Sequence, residues 1–258
     1  MMKKKLTVTL NDYLLPESTK EQMWEVYKQY YNYSYEEFMK RIPTNDLYSF
    51  YLHEGRIVGF TGLRVDRAYV GGRKQFLIYF GQTVIENEYR GKSLIPVTGF
   101  KLCCKYWKEF FTGKVFMYAD ALTYKAYLVF AKTVGEMYPS YKRPNSQLVN
   151  GIFDLIGNTY YRGTFNQENR TIRKDRMLVD DNKTCTPTNH MDDADIRFYV
   201  ENNPLWQSGH GLLTIAPMNL KNLKTLTVRM VRKMMGWKSV KKVSREEKVV
   251  LQAEKEFA

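Results

Sequence analysis

Val84-Ile85-Glu86-Asn87-Glu88-Tyr89-Arg90-Gly91-Lys92-Ser93-Leu94-Ile95 decides how the rest of the chain is read. Before it, Arg73 to Thr83 runs Arg-Lys-Gln-Phe-Leu-Ile-Tyr-Phe-Gly-Gln-Thr, a β-branched and aromatic run that predicts a strand. After it, Ser93 to Phe111 is apolar on one side and basic on the other, which predicts a helix. A strand, a short basic turn and a helix can bind a diphosphate. The first helical N–H groups have no partner inside the helix, and the helix dipole favours an anion there. Arg90 and Lys92 add positive charge, and Gly91 lets the backbone approach closely. The same residues also fit an ordinary strand–helix turn with a surface Arg and Lys.

Glu88-Tyr89-Arg90-Gly91-Lys92-Ser93 resembles the acyl-CoA pyrophosphate loop of the GNAT acyltransferase superfamily, whose pattern is Arg/Gln-x-x-Gly-x-Gly/Ala. Arg90 takes the first position. Ser93 stands where the first Gly is expected, and Ile95 where the final Gly or Ala is expected. Backbone N–H donors do not require glycine, whereas Ile95 leaves less room for the cofactor. A second segment, Asp120 to Lys132, is similar to the family's Asn-x-x-Ala-x-x-x-Tyr-x-Lys stretch after the fifth strand. Ala126 and Lys132 fall in register. Thr123 replaces the Asn, and Phe130 replaces the Tyr that often acts as general acid. Phenylalanine cannot donate a proton, so Tyr124 and Tyr127 become candidates by their place in the sequence, though packing against the sheet is the favoured reading of each.

Outward from these segments, Lys5 to Asn11 alternates with period two and predicts a strand. Pro16 opens a helix whose apolar side holds Met23, Trp24, Val26, Tyr27, Tyr30 and Tyr31. A helix over Tyr35 to Ile42 stops before Pro43. Asp46 to Leu52 and Arg56 to Asp66 flank His53-Glu54-Gly55 as a hairpin, and Gly71-Gly72 turns into the strand that ends near Val84. Val115 to Ala119 predicts a strand and Thr123 to Met137 a helix. The order over residues 5–137 is therefore β, α, α, β, β, β, α, β, α, the order of the GNAT core. The fold class expected is α/β (α+β), a mixed, mostly antiparallel twisted sheet flanked by helices. Its strand near Val84 should splay from the one near Phe116 to open a cleft.

Residues 1–137 are read as the acyltransferase core, 138–218 as additional strands and loops over the cleft, and 219–258 as a basic helical C-terminal extension. Within the middle part, Tyr138 to Asn150 predicts a polar loop and Gly151 to Arg162 a short helix. Asn166 to Thr188 predicts a polar surface segment, and Asp195 to Val200 and Gly211 to Ala216 predict strands. Lys221 to Arg245 holds nine Lys and Arg and no acid, interleaved with Leu223, Leu226, Val228, Met230, Val231, Met234, Met235 and Trp237. Such a surface suits an anionic membrane or an acidic partner; a helix packed on the core with a solvated basic face fits the same pattern. Glu246 to Phe257 predicts a final helix.

The 258 residues suffice for one large domain with an extension, and 44% hydrophobic content can fill its core. Twenty tyrosines suit either a large amphipathic cavity or a tyrosine-rich core. A net charge of +13 draws acidic partners such as CoA, an acyl carrier protein or an anionic membrane surface. Cys103, Cys104 and Cys185 provide no disulfide framework and no CxxC spacing. The apolar run after Met-Met-Lys-Lys-Lys is too short and polar for a signal peptide, and no run of about 18 apolar residues occurs. A cytoplasmic chain, at most peripheral to a membrane, is expected. Cys185, His190, Asp192, Asp193 and Asp195 match no closed metal site, so no metal is expected. Neither a Gly-x-Ser-x-Gly elbow nor a complete P-loop is present.

The resemblance implies acyl transfer from acyl-CoA, or from an acyl carrier protein, to an amine, with acyl-CoA as co-substrate and no permanently bound cofactor. Its cofactor contacts would be Thr83, Val84, Ile85, Arg90, Gly91, Lys92, Ser93 and Leu94. Glu86, Glu88, His53 and Asp120 are candidate bases, with Asp120 favoured because strand ends open onto such a cleft. A carboxylate in a partly apolar cleft should have its pKa raised. The catalytic set is thus Asp120, Glu86 and Tyr124. The many Tyr, Phe and Met side chains would suit a tunnel for a long acyl chain. The alternative is a non-catalytic basic module that docks nucleic acid or an anionic surface, with nucleic acid the less expected partner.

Overall fold

The computed structural model describes residues 6–112, 114–174 and 190–234. Seven strands form one sheet: β1 (Leu6–Asp12), β2 (Leu47–His53), β3 (Arg56–Val70), β4 (Arg73–Ile85), β5 (Val115–Ala121), β6 (Thr171–Arg173) and β7 (His210–Pro217). Their spatial order is β1-β2-β3-β4-β5-β7-β6. Only β4 and β5 run parallel; the other neighbouring pairs are antiparallel. This is the mixed, mostly antiparallel sheet flanked by helices that the GNAT resemblance implies.

Alternation along the strands builds a core on each face. Tyr48, Phe50 and Phe60 pack under α1 (Glu17–Tyr27) and α2 (Tyr35–Arg41). On that same face Leu77, Tyr79, Phe116 and Tyr118 meet α6 (Gln147–Tyr160). The opposite face sends Phe76, Ile78, Phe80, Val115 and Met117 toward α3 (Leu94–Lys105), α4 (Trp107–Phe111), α5 (Tyr124–Thr133), α7 (Ala194–Asn202) and α8 (Leu220–Met234). Local signals set the helix starts. Ser34 and Glu37 form a reciprocal capping box at α2, with Glu37 N–H donating to Ser34 Oγ (3.2 Å) and Ser34 N–H to Glu37 Oε2 (3.1 Å). Thr123 and Ser146 cap α5 and α6 one way only, their side-chain oxygens accepting from Ala126 N–H and Val149 N–H.

Several expectations are corrected. Asp195 to Val200 is not a strand but the middle of α7. Asp193 accepts from Asp195 N–H at its start, and the buried positions are Asp195 with Ile196 and Tyr199, the last two three apart. The helix expected over Ser93 to Phe111 breaks at Tyr106, whose ring packs against Phe76 at 5.2 Å. The helix expected to reach Met137 stops at Thr133, and the next turn is replaced by a segment tied to α8. There Asn222 Oδ1 accepts from Gly135 N–H and Glu136 N–H, and its Nδ2 donates to Glu136 O and Pro217 O. α6 starts inside the expected loop, and the expected surface segment contributes β6. α8 buries Leu226 and Asn222 and exposes Lys221, Lys224 and Arg229, so it packs on the core with a basic outer face. Cys185, Trp237 and the expected final helix lie outside the described residues. No helix among the described residues is long and apolar enough to cross a membrane.

Candidate functional site

β4 and β5 begin as partners and then part. Phe76 to Tyr79 pair with Val115 to Tyr118, but Phe80–Ile85 and Ala119–Ala121 have no register with each other. On its other side β4 bulges against β3. Phe60 faces Val84 and Gly62 faces Gly81, so Thr61 opposes two β4 residues, Gln82 and Thr83. Gln82 takes a left-handed backbone, φ 47°. Tyr31 OH donates to Thr83 O (3.2 Å) and so fastens α1's trailing loop to the bulge.

The divergence opens a cleft of about 380 Å³. One wall is Phe80 to Ile85; the other is Ala119 to Thr123 with Lys125, Ala126, Val129 and Phe130 of α5. Tyr30, Tyr31, Arg90, Gly91 and Ile95 close one end. Of the sequence-derived cofactor contacts, Thr83, Val84, Ile85, Arg90 and Gly91 line this cleft, whereas Lys92, Ser93 and Leu94 do not. Leu94 is buried against Tyr51, Val58 and Tyr89, and Lys92 Nζ sits 4.5 Å from the Tyr89 ring. Gly91 (φ 73°) and Ser93 (φ 58°) both turn left-handed, which swings the chain from the 3-10 turn at Asn87–Tyr89 into α3. Arg90 N–H already donates to Asn87 O (3.3 Å), so it is not an open donor. The Arg90 side chain donates from Nε to Ile85 O (2.9 Å) and lies over the Tyr30 ring.

The three catalytic candidates separate. Glu86 stands outside the cleft with both carboxylate oxygens held by Arg56. His53 Nδ1 is paired with Tyr89 OH (2.9 Å), and neither it nor Glu88 lines the cleft. Tyr124 is buried in the core cluster with Phe80 and Phe130. Tyr127 OH is spent on Pro139 O (3.0 Å). Phe130 itself lines the cleft, edge-on to Phe80.

Asp120 does line the cleft, and its surroundings overturn the expected pKa. Burial pushes the carboxyl up, but the Lys174 ammonium and hydrogen bonds from Lys174, Tyr79 and Tyr161 outweigh it and hold it below the ordinary aspartate value. Tyr79 OH (2.7 Å), Tyr161 OH (2.8 Å) and Lys174 Nζ all converge on Oδ2. Burial, with Arg41 and Arg64 nearby, pushes Lys174 down, against the pull of Asp120. An ionised carboxylate with three donors on one oxygen is a weak base. Its Oδ1 takes no hydrogen bond among the described residues.

Sequence reasoning missed Tyr79, Tyr161 and Lys174 as Asp120's partners, and Gln82, Tyr30 and Tyr31 as cleft residues. Gln82 is adjacent to Gly81 in a strand, and a strand glycine is a bulge signal. Asp193 and Asp195 are held by Lys132, and Asp195 also by Lys142. Among the described residues no group of three or more His, Cys, Asp and Glu is placed to hold a metal.

Neither a protein-family model nor a curated protein sequence matches the chain. Among solved structures it is similar to a probable N-acyltransferase from Enterococcus faecalis, at 12% identity and TM-score 0.36, over 48% of this chain and 32% of that one. The chain thus spans about a third of that protein. It is also similar to an acetyltransferase from Trypanosoma brucei (18% identity, TM-score 0.37, 54% and 98% of the two chains). A third is an Arabidopsis thaliana protein in complex with the bisubstrate analogue CoA-Ac-MVNAL (13%, 0.36, 55% and 93%). These are partial likenesses of backbone, and the ligands named belong to those proteins.

Proposed function

We propose that the chain is an acyltransferase that moves an acyl group from acyl-CoA to an amine. The observation that carries this reading is the parted β4–β5 junction, with a bulge on β4 and an arginine–glycine turn at the foot of α3. In this reading the CoA pyrophosphate meets the turn at Gly91 and the start of α3 at Ile95, with Arg90 beside it. The pantetheine arm follows Thr83, Val84 and Ile85. The thioester reaches the bulge, where a backbone N–H released from the ladder polarises its carbonyl.

The amine attacks the carbonyl carbon; the C–N bond forms, the C–S bond breaks, and the thiolate leaves. Asp120 Oδ1 accepts an N–H from the amine and orients it, while the proton passes to solvent. Phe130 has no proton to give. Tyr31, unlike Tyr127, lines the cleft; desolvation pushes its hydroxyl pKa up, so it stays protonated, and on turning from Thr83 O, which it holds at 3.2 Å, it is the proton donor proposed for the thiolate.

The length of the acyl chain follows from how far the apolar wall of Phe80, Val129 and Phe130 extends. A series from acetyl- to palmitoyl-CoA should gain about 0.8 kcal/mol per buried methylene until the cleft is full. The basic face of α8 supports an acidic carrier protein or an anionic membrane as the place where the acyl group is collected, a contact that salt would weaken. The reading is tested by calorimetric titration of CoA into the wild type and Arg90→Glu. The wild type should bind, and the variant should bind about tenfold more weakly with its melting temperature kept. A wild type that binds neither CoA nor acetyl-CoA refutes the proposal.

A further inference from the structure

Gln82 sits at the β4 bulge, lines the cleft and is 3% exposed. Its amide orientation follows from its neighbours. Asn45 contacts the carbonyl oxygen of Arg41 at 3.3 Å, and a carbonyl only accepts, so that Asn45 atom is the nitrogen. The same nitrogen lies 3.1 Å from Gln82, which makes the facing Gln82 atom Oε1. Tyr48 OH donates to that oxygen too (2.8 Å). Nε2 is thereby fixed as a donor, and it has no partner among the described residues. The arrangement is built in: a Cβ at Gly62 would lie 2.8–2.9 Å from the Asn45 side chain, so only glycine leaves room for it.

Two more buried donors on this face of the sheet lack partners among the described residues, Arg41 Nε and Tyr27 OH. Tyr33 joins them, its ring 5.9 Å from the Arg41 guanidinium and 6.3 Å from the Tyr27 ring. Arg41 makes no ion pair among the described residues. Burial opposes its charge while Tyr79, Tyr27 and Asp120 sustain it, so it stays cationic. A part-buried guanidinium with no carboxylate is an unfavourable thing to keep unless something anionic visits it. Asp120, whose charge acts on Arg41, is the carboxylate among the residues that line the cleft.

Resting on the acyltransferase reading, we propose that the acceptor amine also carries an oxyanion, a carboxylate or a phosphate, bound by Gln82 Nε2 and the Arg41 guanidinium while the amine faces Asp120. Asn45 and Tyr48 are positioning residues that aim the Gln82 donor.

Three probes test this on the full chain by calorimetry: N-acetylglycine, its neutral amide N-acetylglycinamide, and inorganic phosphate. At least one of the two anions should bind the wild type, about tenfold more tightly than the neutral amide. Which anion binds separates a carboxylate site from a phosphate site. Gln82→Glu keeps the oxygen held by Asn45 and Tyr48 and replaces the donor with an anionic acceptor. Arg41→Met removes the cation without touching the bulge. Each should weaken the anion by about tenfold while CoA affinity is little changed. The proposal is overturned if the wild type binds neither anion, if the amide binds equally well, or if both variants bind as the wild type does. CoA is titrated separately. Anion binding without CoA binding would keep the subsite and remove the acyltransferase reading. CoA binding without anion binding would remove the subsite alone.

Discussion

Lys174→Met strips the ammonium from the Asp120 carboxylate while keeping most of the side-chain bulk. Both side chains are enclosed, 9% and 6% exposed. Removing one partner of a buried pair costs about 3–5 kcal/mol because the other charge is left uncompensated. Tyr79 and Tyr161 still donate to Asp120, which places the loss near the lower end, about 3 kcal/mol at pH 7. The pH response should also reverse. In the wild type the carboxyl is held below its unfolded value, so its stabilisation is complete above about pH 4 and is lost as pH falls through the folded-state pKa. In the variant burial becomes the dominant influence, and the carboxyl rises above its unfolded value. The folded state then binds the proton first, and stability recovers as pH falls from 7 toward about 4. Urea unfolding of both proteins at pH 7 and pH 5 reads this directly. Adding Asp120→Asn should return most of the loss, since a neutral amide needs no cation. A variant as stable as the wild type at pH 7, or one with the wild-type pH slope, would refute this account of the Asp120 cluster.

Tyr31→Phe should lower kcat for acetyl transfer by about a hundredfold or more with CoA affinity kept, measured by thiol release; unchanged turnover would clear Tyr31 of proton donation. Ser34→Ala breaks the α2 capping box and should cost about 1 kcal/mol in urea unfolding, with Glu37→Ala giving a non-additive loss. Asn222→Ala removes three side-chain bonds that tie α8 to the segment after α5 and a fourth to Pro217 at the end of β7. It should destabilise by about 3 kcal/mol and raise hydrogen exchange in α8 before the sheet; uniform exchange would count against α8 as a separately anchored element.

What could be seen in the sequence was what is local. β4, the basic turn and α3 adjoin one another, so Thr83, Val84, Ile85, Arg90 and Gly91 reach one cleft by chain continuity. α7 was misread because Ile196, Phe198 and Val200 alternate with polar residues, a period-two pattern. Only the Asp193 cap and the burial of Asp195 between Lys132 and Lys142 select the helix. Tyr124 is a candidate only because it lies within the second motif, and the helical phase carries it into the core. Asp120 was legible as a cleft carboxylate but not as an ionised one. Its partners Tyr161 and Lys174 lie 41 and 54 residues away, and Asn45 lies 37 from Gln82. No local periodicity reports such meetings.

β5 has β4 on one side and β7 on the other, and among the described residues β7 is the last strand to be made. At roughly 5–20 residues per second of synthesis, the strand bearing Asp120 waits several seconds with an unpaired edge. β1 to β4 can assemble meanwhile by pairing each new strand with the one before it. An open edge on a half-made sheet is a template for a neighbouring chain. The cleft wall carried by β5 is therefore completed late, with an aggregation-exposed edge until β7 arrives. A nascent chain stalled before His210 would carry the whole arginine–glycine turn and still lack the second side of the strand it serves.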